Sequence, residues 1–110
     1  MWYRLDWKLC INIVMSYKVR SKYTKPNAEV SLHTPPAGLT TLINTMFDSG
    51  KITQKPVETI DGLNFTYEII FADEDAYNEY NSQVVVNENY DIRLEHCNTH
   101  SISHSVEVGV

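Results

Sequence analysis

Glycine is scarce in this chain, with 4 in 110 residues. None of the four sits beside another, so a glycine-rich loop that cradles phosphate is not on offer. Cysteine is scarcer still. Cys10 and Cys97 make no CxxC pair and no disulfide framework, which points to a reducing, cytoplasmic setting. No apolar run approaches the ~20 residues of a membrane-spanning helix. The apolar stretch Leu9–Met15 contains Asn12 and lacks a small-x-small cleavage pattern, so it makes a poor signal peptide. No serine-histidine-acid order and no paired catalytic acids stand out. Basic excess is absent too: the net charge is -5 and the pI about 5.2. That argues against a general binder of nucleic acid or of anionic membrane.

What is present is a soluble globular composition, 43% hydrophobic, 21% charged and 11% aromatic, in a length suited to one domain. Charge is unevenly placed. Residues 1–25 carry a balance of +5, whereas the remainder carries −10, with Lys51, Lys55 and Arg93 as its only bases. Lysine-rich edge strands are common. The sharper expectation is that the basic segment docks against an acidic surface of a second copy.

The basic segment is also periodic. Trp7, Leu9, Ile11, Ile13, Met15, Tyr17, Val19 and Tyr23 occupy odd positions, and mostly polar residues lie between them. This is the period-2 pattern of a half-buried strand, and it exceeds the ~3–10 residues usual for one. The expected division is an N-terminal extension or strand overhang over residues 1–16 and a folded domain over 17–110. Met15 is an alternative natural start, which would make residues 1–14 an upstream extension.

Further elements follow in order. Thr34 is a candidate N-cap before Pro35-Pro36, and Leu39, Leu42, Ile43, Met46 and Phe47 then recur at helical spacing up to Ser49-Gly50. Val57–Ile60 and Leu63–Phe71 flank Asp61-Gly62, a hairpin signal. Asp73-Glu74-Asp75 opens a second helix with Ala76, Tyr77, Tyr80 and Val84 as its stripe. A break is expected near Asn87–Asn89, then a short helical piece through Tyr90, Leu94 and Cys97. Ile102, His104, Val106, Val108 and Val110 alternate as a final strand. The order strand, helix, strand, strand, helix, strand predicts an α+β, ferredoxin-like βαββαβ fold: a four-stranded antiparallel sheet with helices on one face.

With that order, the hairpin and the helix start Phe71–Tyr80 (FADEDAYNEY), the chain resembles the dimeric α+β barrel superfamily over Tyr17–Val110. Antibiotic-biosynthesis-monooxygenase-like and stress-responsive barrel proteins belong to it. The resemblance implies a homodimer packed sheet against sheet, and it raises cofactor-independent oxygenation. Such oxygenases commonly face asparagine and tryptophan into the cavity; here Trp2 and Trp7 both lie in the N-terminal segment. Met15–Lys18 and Lys22–Asn27 also resemble the openings of short marine bacteriophage proteins.

Candidate site residues follow from this frame. His104 sits among Ile102, Val106 and Val108 on the presumed core face, as a satisfied core histidine or as one polar handle in an apolar pocket. Tyr67, Tyr77 and Tyr80 can share that space, each with a ring to bury and an O–H to offer. Phe47 and Phe71 complete the expected ligand-binding set. His96, His100 and His104 form H-x3-H-x3-H, but His104 reads as strand, so ordinary polar residues at a helix-to-strand junction explain the pattern better than a metal site. No metal, cofactor or catalytic residue is expected. The first functional expectation is a non-enzymatic homodimeric binding or structural module whose apolar cavity holds a hydrophobic small molecule such as a fatty acid. The alternative is a monooxygenase-like enzyme acting on a small aromatic or apolar substrate. Third comes an RNA-binding module stacking bases on Phe65 and Tyr67.

Overall fold

The computed structural model describes residues 16–109, and the expectations attached to residues 1–15 and Val110 lie outside them. Strand β1 (Tyr17–Thr24) leads to helix α1 (Ala37–Asp48). The hairpin β2 (Ile52–Asp61) and β3 (Asn64–Phe71) follows. Helices α2 (Glu74–Asn81) and α3 (Val84–His100) precede the closing strand β4 (Ser103–Val108). The four strands form one sheet in the order β2-β3-β1-β4, with every neighbouring pair antiparallel. Sequence-adjacent halves thus interleave, with β1 and β3 at the centre. This is the ferredoxin-like α+β arrangement expected from the sequence.

Register decides which side chains meet the helices. Val19, Ser21 and Tyr23 of β1 lie opposite Ile69, Tyr67 and Phe65 of β3. On β4, Val108, Val106 and His104 lie opposite the same three β1 residues. These residues share the helix side. The other side carries Arg20, which donates to Glu68 at 2.6 Å and to Glu107 at 3.2 Å, while Lys22 pairs with Glu107 at 3.2 Å. The hydrogen bond from Arg20 holds the Glu68 carboxyl below its ordinary range, and that from Lys22 does the same for Glu107. Phe65 and Tyr67 are therefore turned toward the helices. They are not available to stack bases on the open side, which removes the basis of the RNA reading.

The local rules of chain geometry account for the element ends. Helix α1 closes in a Schellman motif: Gly50 adopts φ 81°, its N–H meets the Phe47 carbonyl at 3.1 Å, and the Lys51 N–H meets that of Met46 at 2.8 Å. At its start Pro36, not Thr34, holds the N-cap position, because an extended proline directly precedes Ala37. The hairpin turn is Gly62-Leu63, one residue later than expected. Gly62 alone takes a positive φ there, 61°, which suits a II′ turn with glycine first. Strand β2 starts at Ile52, earlier than its alternation suggests. Its register shifts between Ile52 and Gln54 and again between Gln54 and Val57. Pro56, with no N–H to give the ladder, falls in the second shift.

Asp73 caps α2, its side chain accepting from the Ala76 N–H at 2.8 Å, with Glu74 and Asp75 in the first turn. The break that follows is at Ser82-Gln83, and α3 then runs unbroken for 17 residues. The expected break near Asn87–Asn89 is corrected accordingly. Three helices, not two, cover the described sheet.

The core forms two clusters. One gathers Val19, Leu39, Met46, Ile52, Phe71, Ala76, Tyr80 and Val86; the other gathers Tyr23, Cys97 and Ile102. Phe71 is the hub of the first, fully buried, with its ring centroid 5.4 Å from Tyr77 and 5.2 Å from Tyr80. No helix among the described residues is long and apolar enough to cross a membrane.

Candidate ligand-binding site

Between the sheet and the helices lies a cavity of about 380 Å³. Its floor is Val19 and Tyr23 of β1 with Tyr67, Ile69 and Phe71 of β3. Its walls are Leu39 and Ile43 of α1, Tyr77 and Tyr80 of α2, and Tyr90 of α3. Leu32, His33 and Pro35, from the segment before α1, close one side. A volume in this range is typical of small-molecule sites, which are mainly apolar with a few placed polar groups. At ~30 Å³ per water in the liquid, it is room for about a dozen waters, or a ligand of about ten to fifteen non-hydrogen atoms.

The polar groups are few and gathered. Asn89 and Arg93, one helical turn apart on α3, line the cavity together with His33. The Tyr23 and His33 rings lie with centroids 5.9 Å apart. Within this group His33 Nδ1, Asn89 Oδ1 and Arg93 Nε are buried, and none has a hydrogen-bond partner among the described residues. Native structures leave few such atoms unsatisfied, since each costs about 1–3 kcal/mol. The Arg93 guanidinium stands 4.8 Å over the Tyr90 ring. No carboxylate among the described residues pairs with it. Glu68 also borders the cavity, but its carboxylate is held by Arg20 on the other side of the sheet.

Burial sets the protonation states. Desolvation, reinforced by nearby Arg93, holds His33 below its ordinary pKa; the Asn89 side chain opposes this, although no well-formed hydrogen bond joins the two. Desolvation pushes the Tyr90 phenol up to about 12, and its hydroxyl donates to Asn81 Oδ1 at 2.6 Å. The phenols of Tyr23, Tyr67 and Tyr80 are also raised by burial, and in Tyr67 the hydroxyl additionally donates to the Glu58 carboxylate. At neutral pH the described residues therefore offer the cavity neutral phenols, the neutral imidazole of His33 and the Arg93 cation, with the bordering Glu68 carboxylate already engaged by Arg20.

Four of the expected site residues, Tyr67, Tyr77, Tyr80 and Phe71, are brought together around this cavity. Two are not. His104 is exposed, because β4 is an edge strand and the helices lie over β1 and β3. Phe47 is 40% exposed on the outer side of α1, where the Lys55 ammonium stands 4.8 Å from its ring. His33, Asn89 and Arg93 also line the cavity without any signal in the apolar pattern of the sequence. His33 sits in a segment without periodicity. Asn89 and Arg93 occupy the inward stripe of α3, with Val86 before and Cys97 after, but a search for apolar positions passes over them.

The histidine run does not converge. The rings of His96 and His100 lie 4.4 Å apart, and His96 Nε2 meets the Ser31 carbonyl at 2.7 Å. His104 instead lies on β4, opposite Tyr23. Among the described residues no group of three or more His, Cys, Asp or Glu side chains is placed to hold a metal ion. Cys97 is a buried free thiol whose pKa is raised by desolvation.

No family model matches the sequence, and no curated protein does. Among solved structures, a mutant of SnoaB, a cofactor-independent oxygenase from Streptomyces nogalater, is similar at 12% identity with a TM-score of 0.43. The match covers 84% of this chain and 91% of that one. A likeness of that strength carries no weight for function. The class is defined by the fold itself: a ferredoxin-like α+β domain with a cavity between its helices and its sheet.

Proposed function

We propose that this chain is a small-molecule-binding protein whose cavity takes a compact, largely apolar ligand, and that it works as a homodimer. The observation that carries the binding reading is the cavity itself, about 380 Å³ between sheet and helices with aromatic walls. A space of this size is costly to maintain. Side chains around it forgo packing, at ~20–25 cal/mol per Å³ in dry engineered cavities, and an occupant restores those contacts. Native mass spectrometry of protein purified from cells tests the reading. A retained adduct, or uptake of an added apolar compound, supports it; a clean unliganded mass with no uptake refutes it.

The dimer reading rests on the sheet's second side. No helix covers it among the described residues, and half-buried Ile70 and Val57, 51% exposed, interrupt its charges. The central charges are already paired within one chain, Arg20 holding both Glu68 and Glu107. Arg20, Glu68 and Glu107 can therefore be covered without losing their charge partners. Light scattering at micromolar concentration is expected to give twice the chain mass, and a monomer refutes this part.

A second reading, a cofactor-independent oxygenase acting on a small aromatic or apolar substrate, is favoured by one feature. His33 is held neutral by burial beside the Arg93 cation. A neutral imidazole can accept a proton from a substrate hydroxyl, and a cation beside it stabilises the anion that results. Oxygen uptake with quinol-type substrates that disappears in His33→Ala supports it. Absence of uptake, or uptake unaffected by that substitution, dismisses it.

A further inference from the structure

We propose that the polar end of the cavity is a carboxylate site, so that the ligand is a compact monocarboxylic acid whose aromatic or aliphatic body fills the apolar remainder. This rests on the binding reading above and specifies its chemistry. Three observations converge on it. First, among the described residues Arg93 is the one cation lining the cavity, and no described carboxylate pairs with it. Second, the buried Arg93 Nε and His33 Nδ1, the second in its N–H tautomer, are N–H groups without acceptors. A carboxylate has two oxygens that accept about four hydrogen bonds and can meet a guanidinium side-on. Third, burial holds the phenols of Tyr23, beside Arg93, and of Tyr90, under its guanidinium, in their neutral form, so neither supplies an anion that competes for that cation.

The chemistry is selective. A neutral alcohol of the same shape satisfies at most one acceptor position and leaves the cation without a counter-charge. A phosphate ester brings a second charge and more bulk, with no further cation to meet it. Asn89, whose Oδ1 is also unpartnered, has an amide that turns either way. Its NH₂ can support the second carboxylate oxygen while the Arg93 fork holds the first.

The experiment is isothermal titration calorimetry of the full chain with 2-naphthoic acid and, separately, with 2-naphthalenemethanol, an uncharged probe with the same ring system. Hydrogen bonds to a charged group are worth enough to separate the two probes by about tenfold or more in favour of the acid. In Arg93→Met that preference is expected to vanish, while affinity for the alcohol is kept or improved. Arg93→Lys is expected to retain part of it. If Arg93→Met does not fold, Asn89→Leu and His33→Phe, each expected to narrow the preference, take its place. Equal affinities of the two probes for the unaltered protein overturn the carboxylate site and leave the cavity reading standing. Binding of neither probe overturns both. A preference for the acid that survives every one of these substitutions overturns the assignment of His33, Asn89 and Arg93.

Discussion

Phe47 and Phe71 look alike in the sequence, each closing an apolar periodic stretch, yet the fold gives them opposite fates. Truncating each to alanine measures the difference. Phe71 is fully buried, flanked by the Tyr77 and Tyr80 rings at 5.4 and 5.2 Å. Removing a buried phenyl ring costs about 3–5 kcal/mol, the lost transfer energy plus the void left behind. Here the void joins an existing cavity that Phe71 lines, so small movements of its neighbours cannot close it. The loss is expected near 3–4 kcal/mol. Phe47 is 40% exposed and keeps one specific contact, the Lys55 ammonium 4.8 Å from the ring. An exposed cation–π pair contributes about 0.5–1 kcal/mol, so Phe47→Ala is expected to cost about 1 kcal/mol. A domain of this length has about 5–15 kcal/mol in all, which leaves both variants folded enough to measure. Urea unfolding followed by far-UV circular dichroism should shift the midpoint strongly for Phe71→Ala and slightly for Phe47→Ala, with the slope unchanged. Equal shifts, or a loss under about 1 kcal/mol at Phe71, would refute the placement of the core and the cavity floor.

Three further predictions test local features. Ser101 ends α3 in the left-handed region at φ 58°, which costs a side chain about 1–2 kcal/mol; Ser101→Gly should raise stability by about 0.5–1 kcal/mol, and a decrease would contradict the backbone geometry. Asp73→Ala removes the cap on the Ala76 N–H and should cost about 1 kcal/mol, read as a lower thermal midpoint. The folded protein holds His33 below its ordinary value of 6.5, so the unfolded chain takes up that proton first as the solution is acidified. The stability tied to a neutral His33 is then complete above pH 6.5 and declines as pH falls through 6.5 toward the lower folded value. Urea midpoints across that window should fall less steeply in His33→Gln than in the unaltered protein.

The fold was legible because its signals were local and redundant. The helix from Leu39 to Phe47 carries an apolar stripe and a glycine stop, and the hairpin is marked by Asp61-Gly62. Asp73 followed by two acids announces α2. Where local signals conflict, the sequence alone points to the wrong element. Val84-Val85-Val86 has strand-like composition, yet it opens α3, with Val86 fully buried and Val84 75% exposed. Asn87 and Asn89 are weak helix formers, so a break was expected where the helix continues. Tertiary packing overrides propensity there: Val86 and Cys97, both almost fully buried, fix the helix against the rest of the core.

The site was half legible for a related reason. Its apolar wall follows periodicity, so Tyr67, Tyr77, Tyr80 and Phe71 could be found. Its polar end breaks periodicity by nature. Asn89 and Arg93 sit where an amphipathic helix should be apolar, while Ile92, 40% exposed, and Leu94, 51% exposed, lie on the outer side. A phase taken from Leu94 therefore points the helix the wrong way. The phase set by Val86, Tyr90 and Cys97 turns Asn89 and Arg93 inward, and those interruptions are themselves the signal.

The charged side of the sheet admits one more test, of the proposed homodimer. Arg20 is the hub of that side, bonded to Glu68 at 2.6 Å and to Glu107 at 3.2 Å. In a monomer these half-exposed pairs are solvated, and replacing Arg20 by alanine should alter stability little. In a dimer that covers this side, the same substitution leaves Glu68 without its partner in a dry interface, where an unpaired charge is heavily penalised. Arg20→Ala is therefore expected to raise the dimer dissociation constant by more than about tenfold, read by sedimentation at a series of concentrations, with little change in unfolding of the diluted protein. Arg20→Ala together with Glu68→Gln should recover part of the loss, because the second change removes the stranded charge. A dimer whose dissociation ignores both substitutions would place the interface elsewhere on the molecule.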